Sequence, residues 1–229
     1  MSSNQQQSAV QTDQQRIEEL EQEIENLRQQ AETQIDTISK SYAVTDEAFY
    51  KYFEKHNNTD IVWDDTGRCK SERQDDIERG FLAEAVLVEI LEEKIGEENV
   101  DWRGENGEVD ITVYDELNIE VKCRRTDTQR NLIIDEGKLD HDDVDVYVHT
   151  VMQRDDRTGD PAALEVLGYV TRHDALDKRI LVNGDGRMYG YSDEEKYEVH
   201  PKYLTNIQTF LDTLKMFRAK PEQINKAFD

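Results

Sequence analysis

The apolar positions fall into three kinds of pattern along the chain. Ile17, Leu20, Ile24, Leu27 and Ala31 follow a 3,4,3,4 spacing with Glu, Gln and Arg between them, and Ile35 and Ile38 continue the stripe. Isoleucine at a positions with leucine at d predicts a parallel two-stranded coiled coil over residues 16–41, and hence a homodimer. The Gln/Ser-rich residues 1–15 show no such period, and their composition cannot bury enough surface to order them, so a disordered tail is expected there.

Helical spacing returns in the remaining chain, which reads as one domain over residues 42–229. Thr45 before Asp46 and Glu47 predicts a helix start, with the helix running to about His56. Ser71 with Gln74 three residues on is a capping-box pattern, and an unbroken run follows to Ile95, stopped by Gly96. Ile77, Phe81, Val88, Leu91 and Ile95 fall on one stripe of that helix, and Glu84 sits in the middle of it. Short strand-like runs follow at 100–103, 109–114, 118–123, 144–152 and 164–171, the last two separated by the turn-rich RDDRTGDP. Thr171 should cap a short helix through Lys178, and Ile207, Phe210, Leu211, Leu214 and Phe217 predict a final helix. Helices and strands in this order predict a mixed α/β domain with a central sheet.

Charge changes this picture. Asp and Glu number 52 against 28 Lys and Arg, for a net charge of −24. Such an acidic surface suits concentrated salt, where self-repulsion is screened to a Debye length of ~3 Å at 1 M, so a halophilic source is expected. Phosphate contacts want Lys and Arg, so the same charge weighs against a nucleic-acid role. No stretch approaches about 18 consecutive apolar residues, and the start MSSNQQQSAV lacks both a basic and an apolar signal region, which predicts a cytoplasmic protein without membrane spans. Cys69 and Cys123 are the only cysteines, and the five histidines lack zinc-ligand spacing, so any metal must be held by oxygen ligands.

Triplets of the form E-x-K occur at Glu92/Lys94, Glu120/Lys122, Glu136/Lys138 and Glu194/Lys196, so the bare pattern says little in a chain this acidic. Only Glu120-Val121-Lys122 lies in a predicted strand, where both charged residues share a face and Ile119, Val121 and Cys123 take the other. The preceding strand sets Asp110, Thr112 and Tyr114 opposite Val109, Ile111 and Val113 in the same way. A hairpin with the loop Asp115-Glu116-Leu117 would pair Thr112 with Glu120 and Asp110 with Lys122, making Asp110 and Glu120 diagonal neighbours. Glu84 would complete an acid cluster, since a carboxylate in an apolar stripe is costly unless paired or metal-bound. Hard carboxylate oxygens of this kind hold Mg²⁺, or Mn²⁺, for phosphodiester hydrolysis. Downstream, Arg124, Arg125 and Arg130 stand against only Asp127 between residues 123 and 130, a local net charge of +2.

Glu84 on the first core helix, Asp110 in GEVDI and Glu120-Val121-Lys122 in LNIEVKCRR together resemble the PD-(D/E)xK nuclease superfamily, over about residues 70–153. Val109 stands where the family name has proline. The resemblance implies a restriction endonuclease-like fold and a Mg²⁺-dependent DNA nuclease. Asp110 and Glu120 would be metal ligands, Glu84 the helix acid supporting the metal or its water, and Lys122 the catalytic lysine. The competing expectation is a non-catalytic nucleic-acid-binding or assembly protein on the same fold, acting through the coiled coil. The acid run from Asp135 to Asp145 lacks calcium-loop spacing and reads as a solvated loop.

Overall fold

The computed structural model describes residues 39–58, 70–103, 109–125, 131–135, 143–182 and 196–228, together with residues 22 and 139. The chain divides into the units Met1–Thr37 and Ile38–Asp229, and every element below belongs to the second. The predicted tail and the heptads before residue 38 lie outside the described residues, Gln22 apart.

Six strands build the main sheet: β1 (Lys40–Ala43), β2 (Val100–Trp102), β3 (Ile111–Val113), β4 (Leu117–Arg125), β6 (Val146–Arg154) and β7 (Pro161–Thr171). Their order is β1-β7-β6-β4-β3-β2. The β4–β6 pair is parallel and the others antiparallel, so the α/β domain has the mixed central sheet that the pattern predicts. A second sheet of β5 (Leu132–Asp135), β9 (Lys196–Val199) and β8 (Ile180–Val182) has no clear counterpart in the sequence pattern. The expected coiled coil also reached too far. Lys40 and Ser41 are strand, registered on Val166 and Glu165, because the edge of β7 offers them backbone partners.

The helices are α1 (Asp46–Asn58), α2 (Lys70–Ile95), α3 (Arg172–Lys178) and α4 (Ile207–Phe217). Their starts follow the capping rules. Thr45 Oγ1 accepts from Ala48 N at 2.9 Å, Thr171 Oγ1 from Asp174 N at 3.1 Å, and Asn206 Oδ1 from Gln208 N at 2.6 Å. Gly96, at φ +99, ends α2 as expected. The single apolar stripe predicted for α2 understates its burial. Leu82, Ala83, Ala85, Val86, Leu87, Leu91 and Ile95 are all at most 1% exposed, whereas Ile77 and Phe81 are only half-buried. This helix packs against α1, α4, β2 and β4, so its middle is enclosed on most sides. No helix among the described residues is long and apolar enough to cross a membrane.

The β3–β4 hairpin corrects the predicted register. Val113 pairs with Leu117, Thr112 with Asn118 and Ile111 with Ile119, so the loop is Tyr114-Asp115-Glu116 rather than the triplet one residue later. The loop keeps its odd length, and the polar residues keep their common face, but the pairing moves by two residues. The cause is tertiary. Leu117 is fully buried and belongs to the strand, while Tyr114 turns left-handed at φ 58, held by Tyr114 N to Asn99 O at 2.9 Å and Tyr114 Oη to Leu214 O at 3.0 Å.

One cap carries a pH signature. His200 Nδ1 accepts from Lys202 N at 3.2 Å at the start of the turn Pro201–Tyr203, and burial, then the Lys202 charge, lowers the His200 pKa from 6.5. A lowered pKa in the fold favours the neutral ring, so its stabilisation is present above pH 6.5 and is lost as pH falls through the folded value. Urea denaturation at pH 7.5 and pH 5 should therefore show a smaller acid loss for His200→Asn than for wild type. Identical losses would rule out this contribution.

Candidate active site on the polar face of β4

Strand alternation divides β4 into two faces. Leu117, Ile119 and Val121 join the core cluster that contains α2, with Cys123 packed against it. Asn118, Glu120, Lys122 and Arg124 take the other face. Parallel pairing with β6 sets Tyr147 beside Glu120, His149 beside Lys122 and Val151 beside Arg124.

Glu120 is 2% exposed, and its Oε1 accepts from Lys122 Nζ at 2.7 Å. Asp110 straddles this residue from the end of β3. Its backbone N donates to Ile119 O at 3.2 Å, and its carboxylate Oδ2 accepts from Val121 N at 2.7 Å. These two bonds reach Ile119 and Val121, the residues on either side of Glu120 in β4, in place of the diagonal arrangement expected. The Asp110 carboxylate takes the bond that β3 backbone would otherwise make to Val121. This is why β3 is shorter than the predicted 109–114 strand.

The backbone of Lys122 is fixed while its side chain spans the face. The Lys122 carbonyl accepts from Thr150 Oγ1 at 3.3 Å and lies 3.3 Å from His149 Nδ1. Both partners are fully buried. Burial, and after it the negative charge of Glu120, holds the Tyr147 hydroxyl well above the usual tyrosine range, so the group beside Glu120 is a neutral phenol. Thr112 Oγ1 donates to Asn118 Oδ1 at 2.9 Å, and Asn118 N donates to Asp145 Oδ2 at 2.7 Å. Asp145 thus anchors β4 instead of belonging to a solvated loop.

Glu84 is placed differently from the expectation. It is 9% exposed on α2, and its Oε2 accepts from Trp102 Nε1 at 2.7 Å. The Cys123 thiol on the helix side of β4 is raised chiefly by burial; the Glu84 charge raises it slightly and Arg79 lowers it. No group of three or more His, Cys, Asp or Glu side chains suited to one metal ion occurs among the described residues, so Glu84, Asp110 and Glu120 are not assembled into one ligand set. What the hairpin does bring together is the Asp110 carboxylate and Val121 N, next along β4 to Glu120. Of the arginines, Arg124 Nη1 donates to Asn131 O at 3.0 Å and ties β4 to the start of β5. The Arg125 side chain and all of Arg130 lie outside the described residues.

Tyr147, His149 and Thr150 escaped the sequence reading. Their signal is a register across a parallel crossover, which no local spacing encodes. Comparisons with protein-family models, with curated proteins and with solved structures return no match.

Proposed function

We propose that the protein is a metal-dependent DNA nuclease whose site is the polar face of β4. The observation that carries the reading is the Asp110 carboxylate bonded to Val121 N, next in β4 to the buried Glu120, with the Lys122 ammonium 2.7 Å from Glu120. This is the chemistry that strand alternation around Glu120-Val121-Lys122 leads one to expect, and the resemblance to PD-(D/E)xK nucleases supports it. Mg²⁺ is commonly held by one or two carboxylates with several waters retained, so two acids at one end of the hairpin fit the ion. Asp110 and Glu120 would hold it, and Mn²⁺ could replace it. The bound ion would polarise the phosphate and acidify a water. The remaining work falls to the chain. Lys122 orients the attacking water and offsets phosphate charge, and the carboxylates fix where that water and the phosphate meet. Glu84 supports the site through the helix and Trp102. Arg124, Arg125 and Arg130 contribute positive charge beside the face for the DNA backbone.

The test is cleavage of plasmid and branched DNA by the full chain in molar KCl with Mg²⁺, comparing wild type with Lys122→Ala. Cleavage should depend on both Mg²⁺ and Lys122. No cleavage of any substrate by wild type, or equal cleavage by the variant, would sink the reading.

The heptads before residue 40 extend the proposal to a homodimer carrying two sites, suited to cutting both strands. In the full chain, Leu20→Glu with Leu27→Glu should halve the mass measured by light scattering. An unchanged mass refutes that role for the heptads.

A further inference from the structure

We infer that Lys122 is the resident counter-ion of the acid pair, and that a divalent cation binds only by displacing its ammonium from Glu120. The inference rests on the metal-dependent reading above and adds a control device to it. The Glu120 side chain is 3% exposed, and the Asp110 carboxylate accepts from Val121 N, the next amide along β4, so two acid side chains are held at one end of the hairpin with little water around Glu120. Such a pair requires a cation nearby. Lys122 supplies one at 2.7 Å, from two residues along the same face of the same strand.

The attachment of Lys122 decides what can move. Its carbonyl is gripped by Thr150, with His149 alongside, so the backbone stays in register. Its side chain is 22% exposed, far more open than that of Glu120, and a four-carbon stem can swing without disturbing the sheet. A metal ion entering between Asp110 and Glu120 would compete with the ammonium for Glu120. The displaced amine would then turn outward, toward the side from which a phosphate approaches. Metal loading and lysine placement are thereby one event: in the metal-free protein the lysine is held on the acid, and only the loaded protein presents it to substrate. The cost is a reduced metal affinity, because the acid pair is available to metal for only the fraction of time that Lys122 is away.

The experiment is Mn²⁺ binding by electron paramagnetic resonance, with thermal midpoints measured in parallel, on the full chain in molar KCl. Wild type, Lys122→Met, Lys122→Gln, Lys122→Arg and Asp110→Asn are compared. The neutral variants Lys122→Met and Lys122→Gln should bind Mn²⁺ about tenfold more tightly than wild type, and Mn²⁺ should raise their midpoints by more. Lys122→Arg, which keeps a cation, should stay near wild type, and Asp110→Asn should bind more weakly. If wild type binds Mn²⁺ and Asp110→Asn weakens it, but both neutral variants bind no more tightly than wild type, the counter-ion inference is overturned and the metal site stands. If neither wild type nor the neutral variants bind Mn²⁺, the metal-dependent reading itself falls.

Discussion

Asp110→Asn should reduce DNA cleavage by at least about 1,000-fold while leaving the fold in place, because an anionic ligand is worth several kcal/mol of transition-state stabilisation in a metal-assisted hydrolysis. The substitution separates the two tasks of this side chain. Asn keeps an oxygen that can accept from Val121 N, the 2.7 Å bond that closes the end of β3. It removes the negative charge beside Glu120 in the chain's proposed metal site. Asp110→Ala would confuse the two effects, since it also strands the Val121 N–H at a cost of about 1–3 kcal/mol. The measurement is single-turnover cleavage of plasmid DNA in molar KCl and saturating Mg²⁺, with circular dichroism on the same samples. A variant that folds and cleaves within about threefold of wild type would show that Asp110 is only a strand-end clasp.

The largest effect on stability is expected at Gly168, remote in sequence from the acid pair. It has φ +146, and a Cβ built on it would lie 2.7 Å from the Thr205 carbonyl oxygen and 2.9 Å from Leu204 Cβ. The close approach has a purpose. Next to it, Tyr169 and Thr205 exchange two backbone hydrogen bonds, of 2.9 and 2.7 Å, which lead the chain into α4. Tyr169 then packs against Phe210, tilted at a centroid distance of 5.1 Å, and meets Phe228 edge-on at 6.1 Å. Gly168→Val brings a disfavoured backbone conformation and a clash with backbone that has no flexible end to yield. Together these should destabilise the protein by about 3–5 kcal/mol, seen as a lower urea midpoint at unchanged slope. A loss below about 1 kcal/mol would mean that the Thr205 segment can move away freely.

Much of the helical architecture was legible because its signals are local. Thr45, Thr171 and Gly96 mark helix ends through their own side chains or their own φ, and the structure uses each where the sequence puts it. The common face of Glu120 and Lys122 was legible for the same reason, since alternation is a property of the strand itself. What was hidden depends on distant partners. The hairpin register turns on Tyr114, whose left-handed backbone is held by Asn99 and by Leu214, a hundred residues away. The neighbours Tyr147 and His149 come from a parallel pairing, and Glu84 from a choice between the indole of Trp102 and the acid pair. The strands β5, β8 and β9 are three or four residues long, too short for a period to rise above the background of an acidic chain.

The sheet order also sets a timetable for folding. Among the described strands β1 comes first in the chain, yet its partner there is β7, with Lys40 set against Val166. β6 can pair with β4 as soon as it is made, but its other edge stays open until β7 follows. Chain closure over such distances is slow, and the half-made sheet has unpaired edges until β7 arrives. A nascent chain that ends before residue 161 should therefore be protease-sensitive through β1, and protection of β1 should appear once β7 is out.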